Sequence, residues 1–371
     1  MQKGYLCTDI HTTNMADTKK EVRHILVLRF RRVGDSVLSM GLCHSLRMTF
    51  PQAKIDFVIN KGIHTLYENH PDIDRLITFD EHENKQFLTY IRKVWNIVHN
   101  TRYDVIIDMR TTIKTLWFSL FSLSTPFRIG SRKKYGQGIL NYRIANHEQG
   151  TGSRLEQNNM FLDPLSTIAT IKKSSDFRLY VPEERKEKYR SLMQEKGIDF
   201  SKPVIMATPT ARLEYKVWPS EYMRDILQRI IRDFDAQIIF NFAGKERETA
   251  LRYQRELGND PHIFTNIEAP SLPDLCALLS NCQFFFGNEG GPRHMAQALQ
   301  VPAFAIFPPN IPKHIWLPNE GERFAGISPD DFIPLTEQRS RRMSYEERMR
   351  LITPDRVWER LKPMAARFLK P

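Results

Sequence analysis

Cysteine is scarce in this chain, and its four cysteines are far apart. They stand at positions 7, 43, 276 and 282 of the 371 residues, and no pair has the Cys-x-x-Cys spacing of a structural zinc site. The last three lie among apolar residues. They are therefore expected to be reduced thiols in the core, as is typical of cytosolic proteins.

Long apolar runs are missing as well. No segment of about 18 consecutive apolar residues occurs, so the sequence predicts no membrane-spanning helix. The first residues lack the apolar stretch of a secretory signal peptide, and residues 1–22 are predicted to form a polar, disordered extension. Hydrophobic residues make up 41% of the chain, an ordinary core-forming composition, and the length suggests two domains.

Acidic residues are outnumbered by basic ones. The chain has 54 lysines and arginines against 43 aspartates and glutamates, a net charge of +11. Such an excess favours a nucleic acid, an anionic membrane face or a phosphorylated substrate as partner. The basic residues are dispersed, with denser groups at 131–134 and 339–350. A nucleic-acid interface would need a clustered basic face with interleaved aromatic residues, so the dispersed charge argues against one.

Short aliphatic runs alternate with segments of helical period. In the first half the predicted strands are 24–30, 54–60, 75–80, 103–109 and 127–131. In the second half they are 203–209, 236–244, 262–266, 282–288 and 302–309. This alternation predicts two α/β halves, each built on a parallel, doubly wound sheet. Residues 131–155 have weak periodicity and are predicted to form a long loop.

The domain boundaries are predicted from the same pattern. We expect an N-terminal α/β domain over residues 23–180 and a charged linker with one helix over 181–202. A C-terminal α/β domain is expected over 203–345, followed by a C-terminal helical segment over 346–371. The boundary is placed in the linker because that stretch is highly charged and bounded by prolines.

One aspartate directly follows the first predicted strand. Asp35 comes after Gly34 at the start of a helical pattern, where its carboxylate can cap the helix by accepting backbone N–H groups. Ligands also bind at the carboxyl ends of strands in an open α/β sheet, and there the carboxylate can act as a general base toward a substrate hydroxyl. Both roles stay open. Gly34 is the only glycine of this turn, so the Gly-x-Gly-x-x-Gly fingerprint is absent and a nicotinamide enzyme is disfavoured.

A second polar turn follows the predicted strand 282–288. The string "NEGGPRH" starts at residue 288 and places Gly290 and Gly291 at a helix start, where accessible N–H groups and the helix dipole favour a phosphate. Glu289 can accept hydrogen bonds from ribose or sugar hydroxyls. A tight turn without any ligand would use the same glycines, and His294 can equally bond only within its own domain.

A third group follows the first strand of the second half. Thr208, Thr210, Arg212 and Lys216 place hydroxyls and cations there, which suits a diphosphate that needs neutralising charge as it leaves. A solvated loop with chance basic residues is the alternative interpretation.

Two Asp-x-Asp strings occur, at 72–74 and 233–235. A metal-dependent transferase would use such a pair on Mg²⁺ or Mn²⁺. Because the first string precedes a predicted strand and the second ends a predicted helix, both are interpreted as solvated turns, and no metal site is predicted.

Together the three polar stretches resemble glycosyltransferase family 9, the ADP-heptose:lipopolysaccharide heptosyltransferases. The resemblance covers residues 23–310 in order and spacing. It rests on the opening strand with Gly-Asp at 34–35, on the lysine before Trp-Pro at 216–219, and on "NEGGPRHMAQAL" at 288–299. Any one stretch alone is weak, but the three together are specific. The sequence departs from the family at Glu289, where aspartate is common, and its tail has no residue-by-residue match.

The resemblance implies a GT-B fold, in which two doubly wound, Rossmann-like α/β domains face each other across a cleft. It implies an inverting mechanism without a metal, with Asp35 as the base that deprotonates the acceptor hydroxyl. It also implies that Lys216 and Thr210 bind the donor diphosphate and that Glu246 binds ribose. The remaining expected site residues are Thr208, Arg212, Glu289, Gly290, Gly291 and His294 for the donor, and Gly34, Arg110 and Lys114 for an anionic acceptor.

The predicted function is therefore an inverting glycosyltransferase that moves a sugar, heptose from ADP-heptose, onto a lipopolysaccharide core or related glycolipid. Its expected partners are the nucleotide sugar, an anionic acceptor of the lipid A–Kdo type and the anionic inner-membrane surface. The expected location is the cytoplasm, peripherally on the inner membrane. Two alternatives remain: a GT-B-like nucleotide-sugar epimerase, which needs no acceptor, and a basic nucleic-acid-binding protein without catalysis.

Overall fold

The structure, a computed structural model, describes residues 21–145, 152–242 and 244–369. Its strands, in chain order, are β1 (His24–Leu28), β2 (Lys54–Asn60), β3 (Arg75–Phe79), β4 (Val105–Asp108), β5 (Phe127–Ser131), β6 (Tyr142–Ile144), β7 (Val204–Thr208), β8 (Gln237–Phe240), β9 (Ile263–Phe264), β10 (Phe284–Asn288), β11 (Ala303–Ile306) and β12 (Phe324–Ile327).

Helices connect most of these strands. They are α1 (Val33–Val37), α2 (Met40–Thr49), α3 (Glu81–Lys85), α4 (Phe87–Asn100), α5 (Ile113–Leu120), α6 (Arg154–Asn159), α7 (Glu183–Glu195), α8 (Ser220–Phe234), α9 (Arg247–Glu256), α10 (Leu272–Ser280), α11 (Gly291–Ala298), α12 (Lys313–Trp316), α13 (Leu335–Ser340), α14 (Tyr345–Arg350) and α15 (Pro354–Phe368).

The strands form two parallel six-stranded sheets with the same winding. The first has the order β3-β2-β1-β4-β5-β6 and the second the order β12-β11-β10-β7-β8-β9. In each sheet the chain winds outward from the first strand, returns to the middle and continues toward the other edge. The prediction of two doubly wound α/β halves is confirmed. In sheets of this kind the point where the winding reverses is a ligand crevice, here between β1 and β4 and between β7 and β10.

The central strands are fully buried, as expected for parallel sheets covered by helices on both faces. Residues 25–28 of β1 and 303–306 of β11 are buried at every position. This explains why these strands read as continuous aliphatic runs rather than as alternating patterns. Ordered cores of this kind fix the strand ends, and therefore the polar turns that follow them.

Several details differ from the sequence-based expectations. The helical pattern that was expected to start at Asp35 is two helices, α1 and α2, which begin at Val33 and are separated at residues 38–39. The long loop predicted over 131–155 contains β6 and the start of α6, so that prediction was wrong. The edge strands β6 and β12 were both missed.

The segments outside the two sheets also carry structure. The expected linker 181–202 contains α7, whose Tyr189 and Met193 are buried. In the tail, α15 buries Val357 and Leu361 in the core of the second half. The predicted extension 1–22 lies outside the described residues except for its last two. The domain boundaries remain predictions.

Two further expectations concern the thiols and the membrane. Cys43, Cys276 and Cys282 are free and buried, as predicted, whereas Cys7 lies outside the described residues. Among the helices of the described ranges, none has the length and apolar character needed to cross a bilayer.

Candidate active site

The two winding-reversal points face each other across the molecule. Gly34, in the turn after β1, lies so close to the start of α11 that a Cβ at this position would come within 2.7 Å of His294 Cδ2. A Cβ at Gly291 would lie 3.7 Å from the Val33 side chain, which is an ordinary contact distance. A side chain at residue 34 would push the two halves apart, so the glycine is required by this close approach. The candidate site is therefore built from α1 on one side and from the β10–α11 turn on the other.

Asp35 is held in place by a buried arginine. Arg29, only 4% exposed, donates from Nη2 to Asp35 Oδ1 at 2.9 Å and from Nη1 to the Met109 carbonyl at 3.0 Å. On the other carboxylate oxygen, Arg31 Nε lies 3.9 Å from Oδ2. Burial lowers the pKa of Arg29 to about 10 although the charge of Asp35 opposes this shift, so the arginine stays charged at neutral pH and orients the carboxylate.

The capping role considered for Asp35 is wrong. Helix α1 begins at Val33, and its cap position is Arg32, which makes no side-chain capping bond. Asp35 is the third helical residue, where its negative charge still favours the helix N-terminus. Its side chain does not cap the helix and instead accepts a hydrogen bond from Arg29.

On the opposite side, Glu289 is the centre of a buried charge cluster. Lys216 Nζ donates to Glu289 Oε2 at 3.0 Å, and His294 Nε2 lies 3.4 Å from Oε1. Glu289 is 6% exposed and His294 2% exposed, while the Lys216 side chain is 20% exposed. The lysine is thus the member of the cluster that reaches solvent.

The ionisation of this cluster follows from its surroundings. Burial alone would raise the pKa of Glu289, but the neighbouring His294 and the positive charges of Arg293 and Lys216 lower it to about 2. Burial and the charge of Arg293 lower the pKa of His294 to about 4. At neutral pH the cluster therefore contains an anionic Glu289, a neutral imidazole and two cations.

Asn288 fixes the geometry of the donor-side turns, and the sequence analysis did not single it out. Its Nδ2 donates to the carbonyls of Thr208 and Pro209 at 3.1 and 3.0 Å, and its Oδ1 accepts from Trp218 N at 2.9 Å. The end of β10 is thereby tied to the end of β7 and to the loop that carries Lys216. Gly287, at φ 148°, lies so close to Thr208 that a Cβ at this position would not fit.

The remaining donor-side candidates lie at different depths. Thr208 is buried, 5% exposed, with its hydroxyl on the Asn288 carbonyl. Thr210 donates from Oγ1 to Glu246 Oε2 at 2.8 Å, which brings these two predicted residues together. Arg212 is exposed in the loop that follows.

No side chain from the described segments caps the start of α11. Gly290 is the cap residue with φ 176°, an extended conformation, so the tight left-handed turn considered as an alternative does not occur. The proline at the helix start, Pro292, lacks an N–H and suits this position, while N–H groups at a helix start can face an anion.

The two cationic acceptor candidates follow β4. Arg110 is exposed and donates from Nη1 to the Phe30 carbonyl at 2.7 Å, which places it beside the end of β1. Lys114, on the first turn of α5, bonds to the Asn84 carbonyl and lies over the Tyr90 ring. Both stand at the first winding-reversal point, but only Arg110 turns toward β1.

Two further arginines were missed from the sequence. Arg293 is fully buried and donates to Gln297 Oε1 at 2.7 Å and to the Trp316 carbonyl at 2.6 Å. Arg154, from α6 of the first half, lies 4.8 Å from the Trp316 ring centre in the second half. Gln297 is only four residues from Arg293, but Trp316 is 23 residues from Arg293 and lies in the other half from Arg154, so neither contact with Trp316 has a sequence signal.

The two Asp-x-Asp strings are engaged by side chains of the protein. Asp72 is 5% exposed and accepts from His44 Nδ1 at 3.1 Å, so the prediction of a solvated turn was wrong for it. Asp233 pairs with Lys362 and Asp235 with Lys202. Across the described ranges no group of three or more metal-ligating side chains converges.

Comparisons with known proteins are consistent with this architecture. The model of glycosyltransferase family 9 (heptosyltransferase) matches residues 91–325. Lipopolysaccharide heptosyltransferase 3 of Escherichia coli is 22% identical over 321 residues, 84% of this chain and 91% of that protein. A solved glycosyl transferase family 9 protein from Veillonella parvula superposes with a TM-score of 0.80 at 16% identity, covering 93% of this chain and 98% of that one. The solved ADP-heptose lps heptosyltransferase II of E. coli gives a TM-score of 0.70 at 21% identity, covering 93% and 99%.

Proposed function

The chain belongs to glycosyltransferase family 9 and is a glycosyltransferase with the GT-B fold; from this premise we propose that it transfers heptose from ADP-heptose to a hydroxyl of a lipopolysaccharide core or related glycolipid. The observation that carries the proposal is the facing of the two winding-reversal points, with Asp35 on one side and the Lys216–Glu289–His294 cluster on the other. An inverting sugar transfer requires a base for the acceptor hydroxyl and, across the same cleft, a positively charged site for the departing diphosphate.

In this proposal Asp35 acts on the acceptor. Its carboxylate takes the proton of the acceptor hydroxyl, whose oxygen forms a bond to the anomeric carbon while the bond from that carbon to the diphosphate oxygen breaks. The configuration at the anomeric carbon is inverted. General-base catalysis of this kind contributes typically 10²–10⁴-fold, an order-of-magnitude range. Arg29 supports the step as a positioning residue, because it fixes one carboxylate oxygen and leaves the other for the substrate.

The donor side stabilises the leaving group. Lys216 and the N-terminus of α11 at Gly290 and Gly291 face the charge that develops on the departing nucleoside diphosphate, and preorganised charges of this kind lower the barrier. Glu289 holds the ammonium of Lys216 in place before the donor arrives. Glu246, bonded to Thr210, is proposed as the ribose ligand.

The identity of the donor and acceptor is supported by the relatives. The E. coli structure is named for ADP-heptose and the E. coli relative for lipopolysaccharide. The positive net charge of the chain and the exposed Arg110 suit an anionic acceptor at the cytoplasmic face of the inner membrane. We propose the same donor and acceptor classes here, with the enzyme peripherally bound at that face.

A coupled assay of ADP release tests the proposal. The protein is incubated with ADP-heptose, with and without a delipidated, Kdo-bearing acceptor. We expect ADP release that depends on the acceptor, and a heptosylated product with inverted anomeric configuration. Isomerised donor sugar in the absence of acceptor would instead identify an epimerase and overturn the proposal.

A further inference from the structure

Two neighbouring helices of the N-terminal half expose large apolar side chains. Leu88 of α4 is 81% exposed, and Ile113 of α5 is 70% exposed. Of the nine large apolar residues exposed in the described ranges, six lie on these helices or in the turn after α5. We call them the α4–α5 face: Phe87, Leu88, Trp95, Ile113, Leu120 and Leu123. Exposed apolar groups that cluster in this way mark a contact surface.

The α4–α5 face is continuous across the two helices. On α5, residues 113, 117 and 120 recur at helical spacing, and the outward residues of α4 do so at 88, 92 and 95. The Phe87 and Trp117 ring centres are 5.9 Å apart, and those of Trp95 and Phe121 are 5.1 Å apart. The aromatic side chains therefore form one band with aliphatic side chains at its margins.

The stretch of chain that carries this band is rich in basic residues, two of which, Lys85 and Lys93, pair with Glu81 and Glu83. Between residues 84 and 134 the chain has ten lysines and arginines and two acidic residues, Asp104 and Asp108. Asp108 is fully buried, and Asp104 accepts backbone N–H groups of Arg23 and His24. The stretch that carries the α4–α5 face is thus locally basic.

We propose that the α4–α5 face docks on a lipid bilayer with anionic headgroups, with Leu88, Trp95 and Ile113 entering the interface and the basic residues contacting the headgroups. A helix with an apolar face and lysines or arginines beside it lies in the plane of an anionic interface, and tryptophan favours that depth. The attraction is therefore both apolar and electrostatic.

Charge complementarity decides between a bilayer and a second copy of the chain. In a two-fold symmetric dimer the same patch lies on both subunits, so the basic stretch of one copy would face that of the other. Like charges placed opposite each other oppose association. An anionic headgroup layer instead neutralises them, at about 1 kcal/mol for each well-placed lysine or arginine.

This docking also explains how the site would reach its acceptor. Arg110 and the first turn of α5, with Ile113 and Lys114, follow β4 at the winding-reversal point. A protein that rests on α4 and α5 therefore presents the acceptor side of the cleft next to the headgroups. The statement that the bilayer carries the glycolipid acceptor rests on the proposed function. The assignment of the docking surface does not depend on that function.

Sedimentation with vesicles tests the surface. The full chain is mixed with phosphatidylcholine vesicles, with or without phosphatidylglycerol, and the bound fraction is measured beside that of Leu88→Gln/Ile113→Gln. Moving each of these side chains out of water is worth roughly tenfold in partitioning, so we expect the double variant to bind about a hundredfold more weakly. Tyr180→Gln, which removes an exposed ring elsewhere on the surface, is the matched control and should bind like the wild type.

Two further variants separate the components of binding. Arg92→Gln should weaken binding to phosphatidylglycerol vesicles by about fivefold and leave binding to pure phosphatidylcholine unchanged. Tryptophan emission should shift to shorter wavelength when vesicles are added, and this shift should be smaller in Trp95→Phe. Equal binding of the wild type and Leu88→Gln/Ile113→Gln would overturn the proposal.

Two additional measurements keep the outcomes distinct. A wild-type dimer in sedimentation equilibrium that the double variant disperses would make the face an interface between copies and overturn bilayer docking. Transfer to a delipidated acceptor should be equal in the wild type and in Leu88→Gln, since Leu88 lies on α4, outside the turn after β4 that faces the cleft. If transfer is absent but vesicle binding depends on the face, the proposed function fails and the docking surface stands.

Discussion

Asp35 lies between two arginines of very different exposure. Because of this difference, one carboxylate oxygen has a structural role and the other is proposed to act in the chemistry. Arg29 is buried, whereas the Arg31 side chain is half exposed. The inner oxygen of the carboxylate is committed to Arg29. Within the described part of the chain the outer oxygen has only a long contact, to Arg31, so it is the one available to a substrate hydroxyl.

Asp35→Asn tests this division. Asparagine cannot accept the proton, so transfer should slow by roughly 10²–10⁴-fold, while affinity for ADP should stay within about twofold. The amide oxygen can still accept from Arg29, but the charge is lost, and we expect a destabilisation of about 1–3 kcal/mol. Transfer kinetics and urea melts of one preparation give both numbers.

Arg31→Gln is the matched control, because it removes the long outer contact without touching the carboxylate. It should retain most of the stability, since exposed ion pairs contribute at most about 1 kcal/mol. Wild-type transfer in a folded Asp35→Asn protein would remove the base from the mechanism.

Lys216 is the second residue whose role can be isolated. Lys216→Ala removes the cation opposite the donor diphosphate, and a lost charge-assisted hydrogen bond of about 1.5–3 kcal/mol corresponds to about ten- to a hundredfold in affinity. We expect ADP to lose that affinity in calorimetry while adenosine changes little. Equal losses for the two ligands would mean that Lys216 acts only by pairing with Glu289.

The sequence identified residues that follow strand ends and missed those whose contacts depend on the packing. Asp35, Lys216 and Glu289 could be found because polar residues after a buried strand are visible in the linear pattern. Arg29 and Arg293 could not, because they are charged residues inside apolar segments and their partners depend on the packing. Asn288 belongs to the motif at 288–299, but its hydrogen bonds to the loop that carries Lys216 are visible only in the structure.

At the scale of elements, the contact between α1 and α11 sets how closely the two halves approach. Gly34→Ala places a methyl group within 2.7 Å of the His294 ring. Alanine is the better helix former by about 1 kcal/mol, but overpacking a fitted contact costs about 1–3 kcal/mol. We therefore expect a net destabilisation of up to about 2 kcal/mol, measured by thermal melting.

Gly62→Ala is the control for this prediction. A Cβ at Gly62 would meet nothing within 4 Å, so the substitution should be neutral or slightly stabilising. If Gly34→Ala were equally tolerated, the two halves would not be in the close contact described.

The central strands were predictable from sequence because burial on both faces leaves aliphatic runs. The edge strands β6 and β12 were not: β6 has three residues, Tyr142–Ile144, with an arginine in the middle. The register of α1 was missed by a few residues because Val33 and Gly34 resemble a turn. That small shift moved Asp35 from the cap position to the third residue of α1, which shows how strongly a site assignment depends on element boundaries.

For the whole molecule, the fully buried His294 links stability to pH. Its pKa is lowered to about 4 from an ordinary value of about 6.5, so below about pH 6.5 the unfolded chain binds the proton more readily. The contribution of His294 is present above that pH and is lost as the pH falls toward 4. For one such group the slope approaches about 1.4 kcal/mol per pH unit. Asp108, whose pKa burial raises to about 6, acts in the opposite direction.

Comparing variants with the wild type isolates this contribution. His294→Gln should be destabilising at pH 7, and its deficit relative to the wild type should shrink steadily toward pH 4.5 in urea titrations. His262→Gln should show the reverse trend. Although burial opposes the shift, hydrogen bonds to Asp260 and Asp235 raise the pKa of His262. His262 therefore stabilises the folded protein at low pH, and this contribution is lost as the pH rises through the raised pKa. If the deficit of His294→Gln were the same at every pH, His294 would not be held neutral between Arg293 and Glu289. The charge pattern proposed for the donor side would then be wrong.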